Sequence, residues 1–313
     1  MDPLAKTGVG NTGLKVTRLG QGGAPIGGLY SKVNEQDAIS TYKRGVDLGL
    51  TLFDTAPHYG LGKSEYLVGK ALGVFSRDSF VLSTKVGKLL LSDEKPTTEK
   101  HWVDLPPLGI KFDYSRDGIL RSIEDSLERL GMDSIDIALI HDPDDHFDQA
   151  IREAFPALDD LRSKGVVRAI GVGMNQWEML TKFAVEANFD CFLLAGRYTL
   201  LDQSALQTLM PLCQKKTISI IIGGPYNSGI LASDLSDNIM YDYGTASSQV
   251  INKAQEINTV CERYGVPLKA AALQFGLLHP IVASSVPGAR STCEITQNFE
   301  MNNNKITAVL GPT

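Results

Sequence analysis

Short apolar, β-branched runs alternate along the chain with segments whose apolar residues recur at three- and four-residue spacing. The first kind of run suits a strand buried on both faces, and the second suits a helix with one buried face. Read this way, the sequence predicts eight strands: Arg18–Gln21, Leu50–Asp54, Phe80–Thr84, Ile135–Ile140, Val167–Gly171, Cys191–Leu194, Ile218–Ile222 and Ile281–Ser285. Helices are predicted between them at Glu35–Leu48, Ser64–Ala71, Arg116–Leu130, Phe147–Lys164, Gln176–Glu186, Ser204–Lys215 and Gln249–Tyr264. Asp37 in a first helical turn, and Gly49, Gly131 and the pair Lys164-Gly165 after last turns, mark helix ends.

Eight strands, nearly all followed by a helix, make a closed sheet without exposed edges more economical than an open one. The expected fold is therefore α/β, a (β/α)8 TIM barrel formed as one domain over residues 1–313. A hairpin over Asn11–Leu19 is expected to plug its bottom. Two stretches break the repeat. Gly87–Ser115 follows the third strand and carries Pro96, Pro106, Pro107, Trp102, Phe112 and Tyr114. A loop that long in a compact domain is usually functional or disordered, and this one is placed to wall the mouth of the barrel. Leu231–Ser248, after the seventh strand, is placed to fold over a ligand.

Composition narrows the partners. Hydrophobic residues make up 43% and charged residues 21% of 313, enough for a sizeable core. The net charge of −6 argues against nucleic acid or an anionic membrane surface, which call for concentrated Lys and Arg. Cys191, Cys213, Cys261 and Cys293 show no metal-ligand spacing and read as free thiols in a reducing compartment. Neither a secretory leader nor an apolar run of the ~18 residues a membrane span needs is evident, so a cytoplasmic protein acting on a small molecule is expected.

Active sites of such barrels gather at the C-terminal ends of the strands. Asp54 ends the second strand in LTLFDTAPHYG, with Tyr59 in the adjoining loop; Lys85 ends the third in FVLSTKVG; His141 ends the fourth in IDIALIHDP. Singly, each has an ordinary structural reading, as turn cap, packing residue, solvated strand end or core histidine. Together they support one mechanism. A buried Lys85 needs a counterion, which Asp54 can supply, and the ammonium is expected to lower the Tyr59 phenol from its usual value of about 10. Such a phenol exchanges a proton with a carbinol or carbonyl oxygen, which a neutral His141 can orient. No metal-ligand set and no activated Ser or Cys nucleophile competes with this reading.

These four residues resemble the catalytic tetrad of the aldo-keto reductases. The resemblance extends over GLGKSE at 60–65, RSIEDSLERLGMDSIDIALIHDP at 121–143, GVVRAIGVGMNQ at 165–176 and SVPGARS at 285–291. It implies a nicotinamide dinucleotide, NAD or NADP, lying across the barrel mouth. Asn175 would hold the carboxamide. The segment GGPYNSGIL, with Gly223, Gly224, Pro225, Ser228 and Leu231, would flank the pyrophosphate. Adenosine would fall to the stretch with Pro287, Gly288, Arg290, Glu294 and Asn298, while Gly23 belongs to the cofactor set from the first strand.

Four positions depart from the family pattern. Ala195 stands where a glutamine usually supports the carboxamide, and Gly223 where a tyrosine usually stacks on the nicotinamide ring. Glu294 replaces an arginine and Gly288 a lysine near the 2′-phosphate of NADP-dependent members. A carboxylate repels a phosphate and accepts hydrogen bonds from free ribose hydroxyls, so NAD is expected, although Arg290 could still reach a phosphate.

In detail the chain is similar to the sugar 1-dehydrogenases, such as the L-fucose, D-threo-aldose and L-galactose enzymes. The resemblance implies oxidation of an aldose at the anomeric carbon to the lactone, as for L-fucose, L-galactose or D-arabinose, with Tyr59 acting mainly as base. His58, Trp102 and Asp142 are the candidate sugar contacts. Pyridoxal 4-dehydrogenase is the alternative, followed by a general aldehyde or ketone reductase. A dinucleotide-sensing binding subunit is the alternative of a different class. The chain runs FEMNNNKITAVLGPT over residues 299–313, where related members usually continue through a C-terminal helix and a loop, so either a shortened tail or a pocket open on one side is expected.

Overall fold

The computed structural model describes residues 1–92, 94–235 and 239–303. Its central sheet has eight parallel strands: β1 (Gln21–Gly22), β2 (Leu52–Asp54), β3 (Val81–Val86), β4 (Ile137–His141), β5 (Ala169–Met174), β6 (Cys191–Ala195), β7 (Ser219–Gly223) and β8 (Val282–Val286). They pair in sequence order. Parallel bridges Leu19↔Ser285 and Gly22↔Gly288 bring the eighth strand back to the first, with Gly20 N–H donating to Ser285 O at 2.9 Å and Gly22 N–H to Pro287 O at 3.0 Å. The barrel therefore closes as expected.

Most strands begin and end one or two residues later than their apolar runs, because the ladder continues through the polar residues at the mouth. Helix ends follow local chemistry. Asn34 and Ser115 cap helices Glu35–Asp47 and Arg116–Leu130 by accepting from the N–H groups of Asp37 and Gly118. Gly131 at φ 60° ends the second of these in the left-handed conformation. The expected Phe147–Lys164 helix carries a π turn at Ala150–Ala154 before continuing over Phe155–Ser163. The expected Ser204–Lys215 helix is regular only over Leu209–Lys216. Two helices were not expected, Leu268–Phe275 and Thr292–Asn303. The first is buried on almost every side, so it has no polar face to give it a helical period.

Apolar packing forms two shells. Leu52, Val81, Ile137, Leu139, Ala169, Cys191, Leu193, Ile221 and Ala283 fill the barrel, joined from below by Val9, Leu14 and Val16. Alternate strand residues, such as Phe53, Leu82, Ile140 and Phe192, pack outward against the helices. The plugging hairpin pairs Lys6–Gly8 with Lys15–Thr17, so Asn11 sits in its turn rather than opening its first strand. Gly10 and Gly13, at φ 51° and 76°, provide that turn.

Both irregular stretches contain small hairpins. Lys88–Leu91 pairs with Gly109–Phe112, and Met240–Tyr241 with Gly244–Thr245. The first stretch is tied across the mouth by a bridge between Leu29 and Trp102 and by Tyr30 N–H to His101 O at 2.7 Å. It forms the expected wall. Residues 304–313, most of the tail singled out above, lie outside the described residues.

Candidate active site

Asp54 is the last residue of β2, Lys85 the penultimate residue of β3 and His141 the last of β4. Parallel pairing of these strands brings them to one place. Lys85, 1% exposed, donates from Nζ to Asp54 Oδ2 at 2.7 Å and to Thr55 O at 2.9 Å. Asp54 Oδ1 accepts from Ser83 Oγ at 2.8 Å, so its carboxylate is fixed from both sides. The ammonium lies 4.4 Å from the centre of the Tyr59 ring. His141 meets that ring edge-on, with centroids 5.8 Å apart, and Trp102 stacks beside it at 5.9 Å.

Electrostatics separate the roles of the two titrating rings. Burial first, and then the charges of Lys88, Lys85 and His58, hold the His141 imidazole well below its usual value, so it is neutral at pH 7. Tyr59 moves opposite to expectation. Desolvation, followed by the charges of Asp54 and Asp142, pushes its phenol well above its ordinary value. The reason is geometric: the ammonium expected to lower it is already compensated by Asp54 at 2.7 Å. The phenol is protonated at neutral pH.

A trough runs across the mouth. At one end His58, Glu99, His101, Trp102, His141, Asp142 and Asp144 surround Tyr59. Glu99 is gripped by His58 Nε2 at 3.3 Å and His101 Nε2 at 3.1 Å, and Asp142 by Lys88 Nζ at 2.7 Å. Tyr114, fully buried, donates to His141 O at 2.6 Å and fixes the backbone where Asp142 turns at φ 42°. A side chain at Gly87, which has φ 98°, would collide with the Tyr114 ring. His58 Nδ1, Trp102 Nε1 and His141 Nδ1 are buried without a hydrogen-bond partner among the described residues.

The middle of the trough has a narrow floor of Leu193, Ala195 and Gly223, flanked by Asn175, Gly196 and Asn227. A Cβ on Gly223 would stand 2.8 Å from Leu193 Cδ2, so Leu193 already fills the space beside it. Gly22, Gly23, Gly224 and Gly288 bring bare backbone to the groove. The far end is formed by Pro225, Ser228, Lys269, Arg290, Glu294 and Asn298. There Glu294 takes Arg290 Nη2 at 3.0 Å and the Arg290 N–H at 2.8 Å, while Arg290 Nη1 reaches Ser31 Oγ at 3.1 Å. Asn298 is held by Tyr226 at 2.8 Å.

Most candidates thus line one trough, but two do not. Leu231 is buried with Leu201, Ile230 and Ala254 in a cluster under the seventh loop. Pro287 is buried and contributes its carbonyl to barrel closure. Both lie next to trough residues in sequence without lining the trough. Glu294 is also not free to act alone, because its carboxylate is engaged by Arg290. The sequence reading missed Tyr30, Glu99, His101, Arg197, Asn227 and Tyr243. Arg197 clamps Asp242 through two 2.9 Å bonds, which holds the Met240–Thr245 hairpin at the trough. No periodicity marks these residues, since all sit in loops that only the closed barrel gathers.

An elongated, glycine-edged trough with an apolar floor, meeting a buried Lys–Asp pair, a phenol and a neutral imidazole, fits a barrel oxidoreductase that uses a bound dinucleotide. The chain belongs to the Aldo/keto reductase family, which it matches over residues 18–309. It is 39% identical to a pyridoxal 4-dehydrogenase of Microbacterium luteolum, over 94% of this chain and 91% of that protein. It is also 39% identical to a D-threo-aldose 1-dehydrogenase of a Pseudomonas species, over 92% and 90%. Among solved structures it resembles the holo form of an aldo-keto reductase from Bacillus halodurans, with a TM-score of 0.75 and 25% identity over 96% of this chain and 92% of that one. Among the described residues, no helix is long and apolar enough to cross a membrane.

Proposed function

We propose that the chain oxidises the anomeric carbon of an aldose to the lactone, with NAD as the preferred oxidant. The observation that carries this reading is the polar end of the trough. Beside Tyr59 and His141 it holds three carboxylates, two further histidines and three buried ring nitrogens without partners. Unpaired buried polar groups favour a ligand that brings many hydroxyls, and Trp102 offers a flat face for its ring.

The dinucleotide, when bound, supplies the hydride acceptor. Gly22, Gly23, Gly223 and Gly224 would admit its backbone, Asn175 would hold its nicotinamide end, and Arg290, Glu294 and Asn298 would hold its adenosine end. Tyr59 Oη takes the proton of the anomeric hydroxyl as C1 loses its hydride and the C=O bond forms. His141, neutral, hydrogen-bonds the same oxygen. Because the phenol rests protonated, oxidation first requires Tyr59 to release its proton, whereas carbonyl reduction can draw on it directly. The preference for NAD would follow from the Arg290–Glu294 pair, since Glu294 engages the guanidinium that would otherwise be free to meet a 2′-phosphate.

The test is nicotinamide absorbance with NAD and NADP against L-fucose, L-galactose, D-arabinose and pyridoxal. Turnover of an aldose with lactone as product supports the proposal. Turnover of pyridoxal alone would replace it with the second reading, which the equal identity to a pyridoxal dehydrogenase favours.

A further inference from the structure

The polar end of the trough carries more carboxylate than its lysines balance. Glu99, Asp142 and Asp144 line it. Of the two lysines beside them, Lys85 is taken by Asp54 at 2.7 Å and Lys88 by Asp142 at 2.7 Å. Among the described residues, neither Glu99 nor Asp144 has a lysine or arginine within ion-pair distance. Glu99 is held by imidazoles instead: His58 Nε2 and His101 Nε2 lie 3.3 and 3.1 Å from its Oε2. The hydrogen bond from His58 is the main reason that its carboxyl sits below the usual range, so it is ionised at neutral pH. Asp144 moves the other way, pushed up by burial and then by the charge of Asp142, as expected where like charges share a pocket.

Aromatic faces border the same space. Tyr59 and Trp102 stack with centroids 5.9 Å apart, and the Tyr243 ring meets His101 at 5.5 Å. Ring faces attract a cation through their quadrupole, and uncompensated carboxylates attract it directly; both disfavour an anion. We infer that this end of the trough selects its substrate by charge, favouring a small carbonyl or hemiacetal compound that bears an ammonium group, accepting a neutral one and excluding one that bears a carboxylate or phosphate. Glu99 is the principal discriminator, because Lys88 balances Asp142. Among aldoses, the selection leaves neutral and amino sugars.

This rests on the reading that the polar end receives the substrate, and the test does not require the substrate to be known. Three alcohols of one shape serve as probes: 4-(hydroxymethyl)-N,N,N-trimethylanilinium, methyl 4-(hydroxymethyl)benzoate and 4-(hydroxymethyl)benzoate. Their dissociation constants are measured by titration calorimetry with NADH present, so that no turnover occurs. His58 and His101 are the groups able to offset Glu99, so the pH is set to about 9, above the range of an ordinary imidazole. The cation is expected to bind about tenfold more tightly than the ester and the carboxylate about tenfold more weakly, a spread that shrinks at about 0.5 M salt. Glu99→Gln, which keeps the size and removes the charge, should lower the cation-to-anion ratio about tenfold, and Asp144→Asn should lower it by less. The ratio cancels any general loss of binding in a variant. A wild-type ratio below about threefold, or no binding of any probe, overturns the inference; an unchanged ratio in Glu99→Gln overturns the role of Glu99. Charge selection without oxidation of any aldose would leave the inference standing and remove the aldose reading, and aldose oxidation without charge selection would do the reverse.

Discussion

Replacing Asp54 by asparagine tests the buried ion pair on which the site is built. Lys85 Nζ has two partners, Asp54 Oδ2 at 2.7 Å and the Thr55 carbonyl at 2.9 Å. At that separation and an effective dielectric of about 20, the pair attraction is ~6 kcal/mol, much of it spent on desolvating both charges. Neutralising the carboxylate removes the attraction and leaves the ammonium's desolvation cost in place. The substituted amide still offers a neutral acceptor, so the expected loss is ~3 kcal/mol, at the low end for a broken buried pair. In a chain of this size that lowers Tm by roughly 6 °C. Urea denaturation measures this deficit, and the double variant Asp54→Leu with Lys85→Met supplies the control. Removing both charges should recover at least half of the deficit, although neither variant turns over substrate. A deficit below about 1 kcal/mol, or a double variant no more stable than Asp54→Asn, would refute the account of a mutually dependent buried pair.

Tyr59→Phe should reduce kcat by about 10²–10⁴-fold with NADH binding unchanged by titration, because only the proton carrier is lost. Since the Tyr59 phenol sits well above its usual value, oxidation rates should climb up to roughly tenfold per pH unit from neutral into the alkaline range; a flat profile under chemistry-limited conditions would count against Tyr59 as the base. The Lys88 charge helps to hold His141 neutral, so Lys88→Met should move the acid limb of kcat/KM toward neutral pH. His141 also sets a stability trend: its folded value lies below its unfolded one, so it takes nothing from stability above about pH 6.5 and destabilises the fold as pH falls below that. Glu294→Gln should free Arg290 and tighten NADP binding about fivefold relative to NAD; no change would place the pair away from the ribose.

The barrel was legible because its information is periodic. Eight apolar runs, each followed by a helix-spaced stretch or a Gly-terminated turn, leave little choice of topology, and the strand ends named Asp54, Lys85 and His141 before any contact was known. Tyr59, five residues beyond Asp54, was carried by the same motif. Helix Leu268–Phe275 escaped because burial all round removes the period that reveals a helix. Tertiary structure decided the rest. Leu231 and Pro287 share segments with trough residues, but Leu231 packs into the cluster under the seventh loop and Pro287 gives its carbonyl to the barrel seam, since side-chain direction in a loop has no sequence period. Asn227, Glu99 and His101 join the site only when loops from different strands meet over the mouth. The sign of the Tyr59 shift reversed for the same reason. Sequence placed a cation near the phenol, but only the folded chain buried the phenol and set Asp54 and Asp142 close to it, so desolvation, followed by those two carboxylates, decides the direction.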